Sequence, residues 1–427
     1  MAVTAGAAAG QSSGKQALTA SEVGITATEI RIGVIADTGS PLAPGLFQGA
    51  VDGVKAWASY MNAKEGGLAG RKIVVDSYDS SLNADKSRNS IIEACGKDFA
   101  LVGTSALFVN NVDDLVSCPD TKGAATGLPD FPVVTTEAVH QCSPVSFGVN
   151  PPSLVCATKD QSPQTYHGNL FATRYFLKKY GKSALHGLYL FPSDLKSAKN
   201  SEVPAATAHQ RLGIKQDATF DASGRAPQST YTPFVQAMKD HGSTYAFDGL
   251  NDASVIALRK EAKIQGLTTV KVWDCGAQCY DKDLISSANA ADMEGQYVTI
   301  NFLPFEEAKT NKMLANFLKY IGRDKADGFS LQAFSSGLVL RDAVNNIVTS
   351  GNKNDVTRKA VLAELPKITK FTADGMMGAV NVGQHVPSTC YVLMQVHNAK
   401  FVRIFPKKKG TIECKPNNLF TIKLDLK

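Results

Sequence analysis

Hydrophobic positions along the chain switch period repeatedly, and the switches mark alternating strands and helices. Ile30, Ile32, Val34 and Ile35 lie close enough together to read as a strand buried on both faces. Residues 37–45 (DTGSPLAPG) then hold two prolines and two glycines, which stop either kind of element. Beyond them Phe47, Ala50, Val51, Val54, Trp57, Ala58 and Met61 recur at helical spacing and form one apolar stripe. Glycines at 66, 67 and 70 end that helix, and 72–78 (KIVVDSY) begins a second strand. The unit is strand–helix–strand. In open α/β sheets ligands sit beyond the carboxyl ends of strands, so 37–45 is the first candidate ligand-facing loop.

The alternation continues. A helix over 84–95 leads to strand 99–103 and loop 104–108, and a helix over 112–117 leads to strand 131–136 and loop 135–140. Around 147–152 the pattern resets. Strands 185–191, 214–220, 244–248 and 270–273 then alternate with helices over 167–180, 202–212, 231–240 and 253–265. Strand 295–302 and helices 310–322, 330–350 and 356–365 follow; 371–382 reads as a return strand with a Gly-rich bend, and 390–396 with 400–405 as a terminal hairpin. Two doubly wound α/β lobes are indicated.

Length and apolar content support this: 427 residues at 44% apolar can bury substantial cores, and two or three domains are expected on size. A net charge of +6 with only 20% charged residues leaves no nucleic-acid footprint, and Lys407-Lys408-Lys409, between Pro406 and Gly410, reads as a solvated turn. Eight cysteines without a CxxC pair favour disulfides in an oxidising compartment over a metal site. Spacing alone leaves about 105 pairings open; nearest-neighbour pairing (95–118, 142–156, 275–279, 390–414) is the expectation, the last strapping the hairpin. No apolar run reaches the roughly 18 residues of a membrane span. Residues 1–28, rich in Ala, Gly, Ser and Thr, read as a flexible tether rather than an intact signal peptide.

Catalytic patterns are thin. Gly10-Gln-Ser-Ser-Gly14 fits a nucleophile elbow only in letters, since no strand precedes it. Gly181-Lys-Ser183 resembles the end of a phosphate loop, yet Phe176 stands where its first glycine belongs. No HExxH occurs and no GxGxxG follows a strand. The expectation is a non-enzyme, with no catalytic residue, cofactor or metal ion.

The order of the elements resembles the type I periplasmic solute-binding proteins, in particular their branched-chain amino-acid-binding branch. Residues 26–40 (TATEIRIGVIADTGS), 48–79 (QGAVDGVKAWASYMNAKEGGLAGRKIVVDSYD) and, more weakly, 231–267 carry it, and it spans about 26 to 405. The resemblance implies two Rossmann-like lobes joined by three crossover strands, with 29–150 plus 302–373 in lobe 1 and 151–301 plus 374–427 in lobe 2. The chain would cross near Asn150, Asn301 and Asp374, and the lobes would close on a solute in the cleft. It implies an extracytoplasmic monomer, periplasmic or a cell-surface lipoprotein with an upstream lipid anchor, that hands a small-molecule solute to the permease of an ABC importer. The same fold also serves as the ligand-sensing domain of signalling systems, which is the alternative.

In amino-acid-binding relatives a serine and an Ala-x-Thr in lobe 1, with a tyrosine and an acid in lobe 2, hold the zwitterion. Here Leu107 and Phe108 stand near the serine position, Glu137 to His140 in the third loop, Leu195 near the tyrosine, and Asp274 beside the acid. The departure leaves an amino acid and a larger apolar or aromatic solute both open. Candidate contacts in lobe 1 are Ser40, Ser105, Phe108, Thr135, Glu137 and His140, with Phe329 before the long helix. Those in lobe 2 are Ser193, Leu195, Asp248, Asn251 and Asp274. Several have plainer roles open: Asn and Asp at strand ends also cap the next helix, His140 suits the surface, and Trp273 suits either a ligand stack or the core.

Overall fold

The computed structural model describes residues 17–41 and 43–426. Two sheets organise the chain. The first is parallel, in the order β2-β1-β3-β4, from β1 (Glu29–Ala36), β2 (Lys72–Asp79), β3 (Ala100–Val102) and β4 (Asp130–Phe131). Its connections are α1 (Gln48–Lys64), α2 (Ala84–Lys97) and the single turns α3 (Asp113–Val116) and α4 (Ala138–Gln141). After β5 (Gln164–Asn169) and α5 (Phe171–Tyr180) the chain builds the second sheet. Its parallel strands are β6 (His186–Pro192), β7 (Lys215–Ala222), β8 (Tyr245–Asp248), β9 (Val272–Cys275) and β10 (Gln296–Ile300). They alternate with α6 (Lys196–Leu212), α7 (Thr232–His241) and α8 (Asp252–Ile264). The helices α9 (Lys312–Ile321), α10 (Gly328–Ser350) and α11 (Arg358–Glu364) return to the first sheet's side. Then β11 (Cys390–His397) adds antiparallel to β10, β12 (Lys400–Phe405) forms its hairpin, β13 (Glu413–Cys414) pairs with β11, and β14 (Leu419–Leu424) pairs antiparallel with β5.

The helical stripe of α1 buries Ala50, Val51, Val54, Trp57 and Met61 against α10. Two glycines allow the close crossing. A Cβ on Gly53 would stand 2.2 Å from Ser330 O, and one on Gly337 2.2 Å from the indole of Trp57, which is fully buried. Gly337→Ala is therefore expected to cost about 1–3 kcal/mol by overpacking, checked by urea denaturation.

Two doubly wound lobes are the sequence expectation, and the largest core is continuous across both sheets. It runs from β1 through α1, α9 and α10 into β10 and β11. An aromatic seam joins the halves: Tyr280 lies 4.6 Å from Phe401 and 5.0 Å from Phe305, which lies 5.7 Å from Phe317. Full burial of each such ring stabilises by roughly 1.5–3 kcal/mol, so the two sheets are welded along this side.

Local departures have local causes. The helix expected over 167–180 starts only at Phe171, because Asn169 Oδ1 accepts from Phe171 N–H (2.9 Å) and β14 supplies a partner strand for 164–169. The strand expected over 131–136 shrinks to Asp130–Phe131, since Pro132 has no N–H for a ladder. The helix expected from 202 starts at Lys196 and carries Pro204 inside it. Residues 371–382 form isolated bridges rather than a strand, broken at Ala373, Asp374 and Gly375, which have φ of 48°, 54° and 83°. All four disulfides join nearest neighbours: Cys95–Cys118, Cys142–Cys156, Cys275–Cys279 and Cys390–Cys414.

Candidate functional site

The carboxyl ends of β1, β3 and β4 emerge into three loops that buried acids tie together. Asp37, wholly buried, accepts from Ser80 Oγ (2.7 Å), Leu82 N–H (2.7 Å) and Leu107 N–H (2.9 Å), linking the loops after β1, β2 and β3. Asp130 accepts from Thr104 Oγ1 (2.6 Å) and Ser146 Oγ (2.8 Å) and pairs with His140 Nε2 (2.8 Å). Thr136 Oγ1 donates to Leu107 O (2.8 Å), and Gln141 Nε2 to Thr136 O (2.9 Å). The loop set on this side is thus preorganised, with little side-chain freedom left to lose on binding a guest.

On the second sheet, Asp248 ends β8 and Asp274 is the last residue but one of β9. Asp248 accepts from Ser254 Oγ (2.5 Å) and Leu250 N–H (2.9 Å); Asp274 accepts from Tyr245 Oη (2.8 Å), which also lies 3.2 Å from His209 Nδ1. Burial pushes both carboxyls up to about 7, their hydroxyl donors opposing it. The half-buried Glu202 on α6 is also pushed up to about 7, by desolvation and then by the charge of Asp248. Groups raised in the folded state bind protons there that the unfolded chain has released. Their contribution is full below pH 4, the unfolded carboxyl range, and is lost as pH rises through about 7. Asp274→Asn is expected to remove part of that decline between pH 4 and 7, read by denaturant melts across pH.

The elements leave a cavity of about 300 Å³ between the two sides, within the usual range for small-molecule sites. One wall is the turn after β4 (Thr136, Glu137, Ala138, Gln141); the facing wall is the first turns of α6 (Leu195 to Ser201); Leu154, Tyr166 and Leu426 close the end. Ser197 Oγ donates to Glu137 Oε1 (2.8 Å) across the gap.

Of the residues expected at the site, Glu137 and Leu195 line this cavity. Thr135 is next to it, its carbonyl accepting from Gln141 Nε2 (3.2 Å). Phe108 is half-buried and Ser193 exposed at loop tips. Ser40 is buried, and Ser105 turns its hydroxyl back to Gly103 O (3.0 Å). Phe329 is half-buried edge-on to Phe47 at 5.1 Å. Asn251 caps α8, accepting from Ser254 N–H (2.9 Å) and donating from Nδ2 to Gly224 O (3.1 Å). His140 is not a surface histidine: its side chain is 1% exposed and held by Asp130. Trp273 lies under Arg259, 5.1 Å from its guanidinium. Sequence reasoning missed Asp37 and Asp130 as loop organisers. The usable signal was an acid beside a buried strand, since such acids are rarely enclosed without partners. Among the described residues Asp252, Asp281 and Asp283 bring three carboxylate oxygens within 4.8 Å of one another, a set that two segments assemble, the start of α8 and the turn at 281–285.

Two sheet-based lobes with preorganised facing loops and a cavity between them define a binding protein of the type I periplasmic fold. Residues 29–400 match the model of the periplasmic binding protein family, and the chain belongs to that family, one of extracytoplasmic binding proteins rather than enzymes. Solved structures agree in fold. A substrate-binding protein of an ABC transporter from Aeropyrum pernix has TM-score 0.70 at 14% identity, over 91% of this chain and 97% of that one. A fatty acid ABC transporter substrate-binding protein from Thermomonospora curvata has 0.67 at 14%, over 91% and 97%. The leucine binding protein LivK from Thermotoga maritima has 0.66 at 12%, over 91% and 99%. No curated protein matches in sequence.

Proposed function

We propose that this protein captures a small solute between its lobes, outside the cytoplasm, and delivers it unaltered to the permease of an ABC importer. The lobes divide at 29–150 plus 302–373 and 151–301 plus 374–427, and the protein acts as a monomer with an upstream lipid anchor. Of the expected tether, 1–16 lie outside the described residues, and 17–28 pack on lobe 1 instead, with Glu22 and Ile25 buried and Ser21 Oγ donating to Val356 O (2.8 Å). The solute is an amino acid or a larger apolar or aromatic molecule; Glu137 and Leu195 serve it from the cavity walls, with Thr135 beside them and Phe108 on the neighbouring loop.

The observation that carries this reading is the cavity bounded by the turn after β4 on one side and the start of α6 on the other, with Ser197 and Glu137 bonded across it. A guest enclosed there is desolvated by two preformed surfaces at once. The test is a thermal-shift screen over amino acids, aromatic acids and neutral apolar compounds, followed by small-angle scattering of any hit. A ligand at about 100 times its Kd stabilises the native state by about 2.7 kcal/mol and is expected to reduce the radius of gyration as the lobes close. Conversion of the bound compound would overturn the reading.

A further inference from the structure

One end of the cavity is walled by a small antiparallel patch that belongs to neither main sheet, with β5 as its middle strand. On one edge β5 pairs with 153–155, Val155 N–H donating to Thr165 O (2.9 Å) and His167 N–H to Ser153 O (2.7 Å). On the other it pairs with β14 in an unbroken register, from Leu419 opposite Asn169 to Leu424 opposite Gln164. Ser153, Leu154, Gln164 and Tyr166 of this patch line the cavity, as does Leu426, two residues beyond β14. β14 and Leu426 lie outside the stretch 29–400 that matches the family, so this wall is one that the matched stretch does not supply by itself.

The added strand is fastened along its length. Just before it, Cys414 is bonded to Cys390, and the buried Asn418 donates from Nδ2 to Thr389 O (2.9 Å) and accepts at its carbonyl from Leu170 N–H (2.8 Å). Helix α6 then backs the patch. A Cβ on Gly168 of β5 would stand 2.7 Å from that of Ala208, and the Arg211 guanidinium lies 5.7 Å from the Phe420 ring. Asn200 Nδ2, also on α6, donates to Leu426 O (2.6 Å). On the opposite side Ile422 is buried in one cluster with Leu154 and Tyr166, against which Ala138 and Cys142 of the turn after β4 also pack. The Cys142–Cys156 bridge ties that turn to the 153–155 edge. Displacing Leu426 would break its bond to Asn200 and uncover apolar surface, so a solute meets a held side chain rather than a loose tail.

We infer that Leu426 is the specificity-determining residue for solute length, the stop against which the apolar end of the solute comes to rest. The inference rests on the solute-binding reading and adds what limits the size of the guest. The hydroxyl of Tyr166 is taken by Gln164 Oε1 (2.6 Å), which leaves its ring, with Leu154 and Leu426, as the apolar surface at this end. Each methylene that gains cover there is worth about fourfold in affinity. The first that overruns the wall has to push into packed side chains and loses binding instead.

The test is calorimetry on the full chain with two homologous series that differ in head group: straight-chain 2-amino acids from alanine to 2-aminononanoate, and straight-chain carboxylates from propionate to nonanoate. In whichever series binds, affinity is expected to climb about fourfold per methylene to one length and then fall. Leu426→Gly moves that length up by about two carbons, the space a removed side chain leaves, and Leu426→Phe moves it down. Ile422→Ala loosens the cluster behind the wall without lining the cavity; it lowers the melting temperature and leaves the preferred length where it was. A preferred length unchanged in both Leu426 variants, or moved as far by Ile422→Ala as by Leu426→Gly, overturns the inference and leaves the solute-binding reading standing. Should neither series bind, the compound found by the thermal-shift screen takes their place. Leu426→Phe is then expected to weaken it at least about tenfold, the scale of forcing a packed contact, and any smaller change overturns the inference. Binding of no compound at all sinks both readings.

Discussion

Glu307→Ala is expected to destabilise the fold by about 3–5 kcal/mol, the usual result of stripping one partner from a buried ion pair. Arg403 on β12 and Glu307, just before α9, are 4% and 3% exposed, and the guanidinium meets the carboxylate with Nε at 2.5 Å and Nη2 at 2.6 Å. Glu307 Oε2 also accepts from Gly410 N–H (2.7 Å), and Arg403 Nη1 donates to Thr411 O (2.9 Å), so the pair anchors the 406–412 loop to the rest of the chain. Alanine at 307 leaves an enclosed guanidinium and the Gly410 N–H unanswered. The double change Glu307→Leu, Arg403→Met is expected to cost less than the sum of the single losses, because no charge is left buried alone. Denaturant midpoints of the three variants decide this; an additive double mutant would mean that the two charges do not depend on each other.

Arg358→Met is expected to be at least as damaging. Arg358 is wholly buried at the start of α11 and donates to main-chain oxygens of three segments: Cys95 (2.7 Å), Asp98 (2.5 Å) and Phe99 (3.3 Å), and Pro119 (2.8 Å); its Nη1 also meets Cys118 Sγ at 3.0 Å. Methionine keeps much of the volume and removes every donor. Each buried carbonyl left without a partner costs roughly 1–3 kcal/mol, so losses above 4 kcal/mol are in view. Because the same guanidinium holds both ends of the Cys95–Cys118 bridge, the variant is expected to leave free thiols at those two positions after oxidative refolding. Thiol titration reads that outcome separately from stability. Full oxidation with wild-type melting would show that the hub is dispensable.

These two arginines show where reading the chain runs out. The βαβ start, the alternation of elements and the family resemblance all rest on short-range information: apolar spacing, Gly and Pro breaks, and local turns. Ile30 to Ile35 are apolar in any context, and the α1 stripe has nowhere to go but a core. Arg358 and Arg403, by contrast, look like surface residues in sequence, because nothing within a few positions announces the carbonyls or the carboxylate they meet.

The candidate site divides the same way. Loop positions were legible, since strand ends in such sheets lie on the ligand side; Glu137 and Leu195 follow from that rule and do line the cavity. Which strand-end acids turn inward was not legible. Asp37, Asp130, Asp248 and Asp274 all sit at or beside strand ends and are all buried with hydrogen-bonding partners. The welded core, the β5–β14 ribbon and the end wall of the cavity likewise depend on segments far apart in the chain. Local propensity acts through neighbours a few residues away. Burial and hydrogen-bond satisfaction are settled by whichever distant groups the fold brings within about 3 Å, and only the tertiary structure decides those.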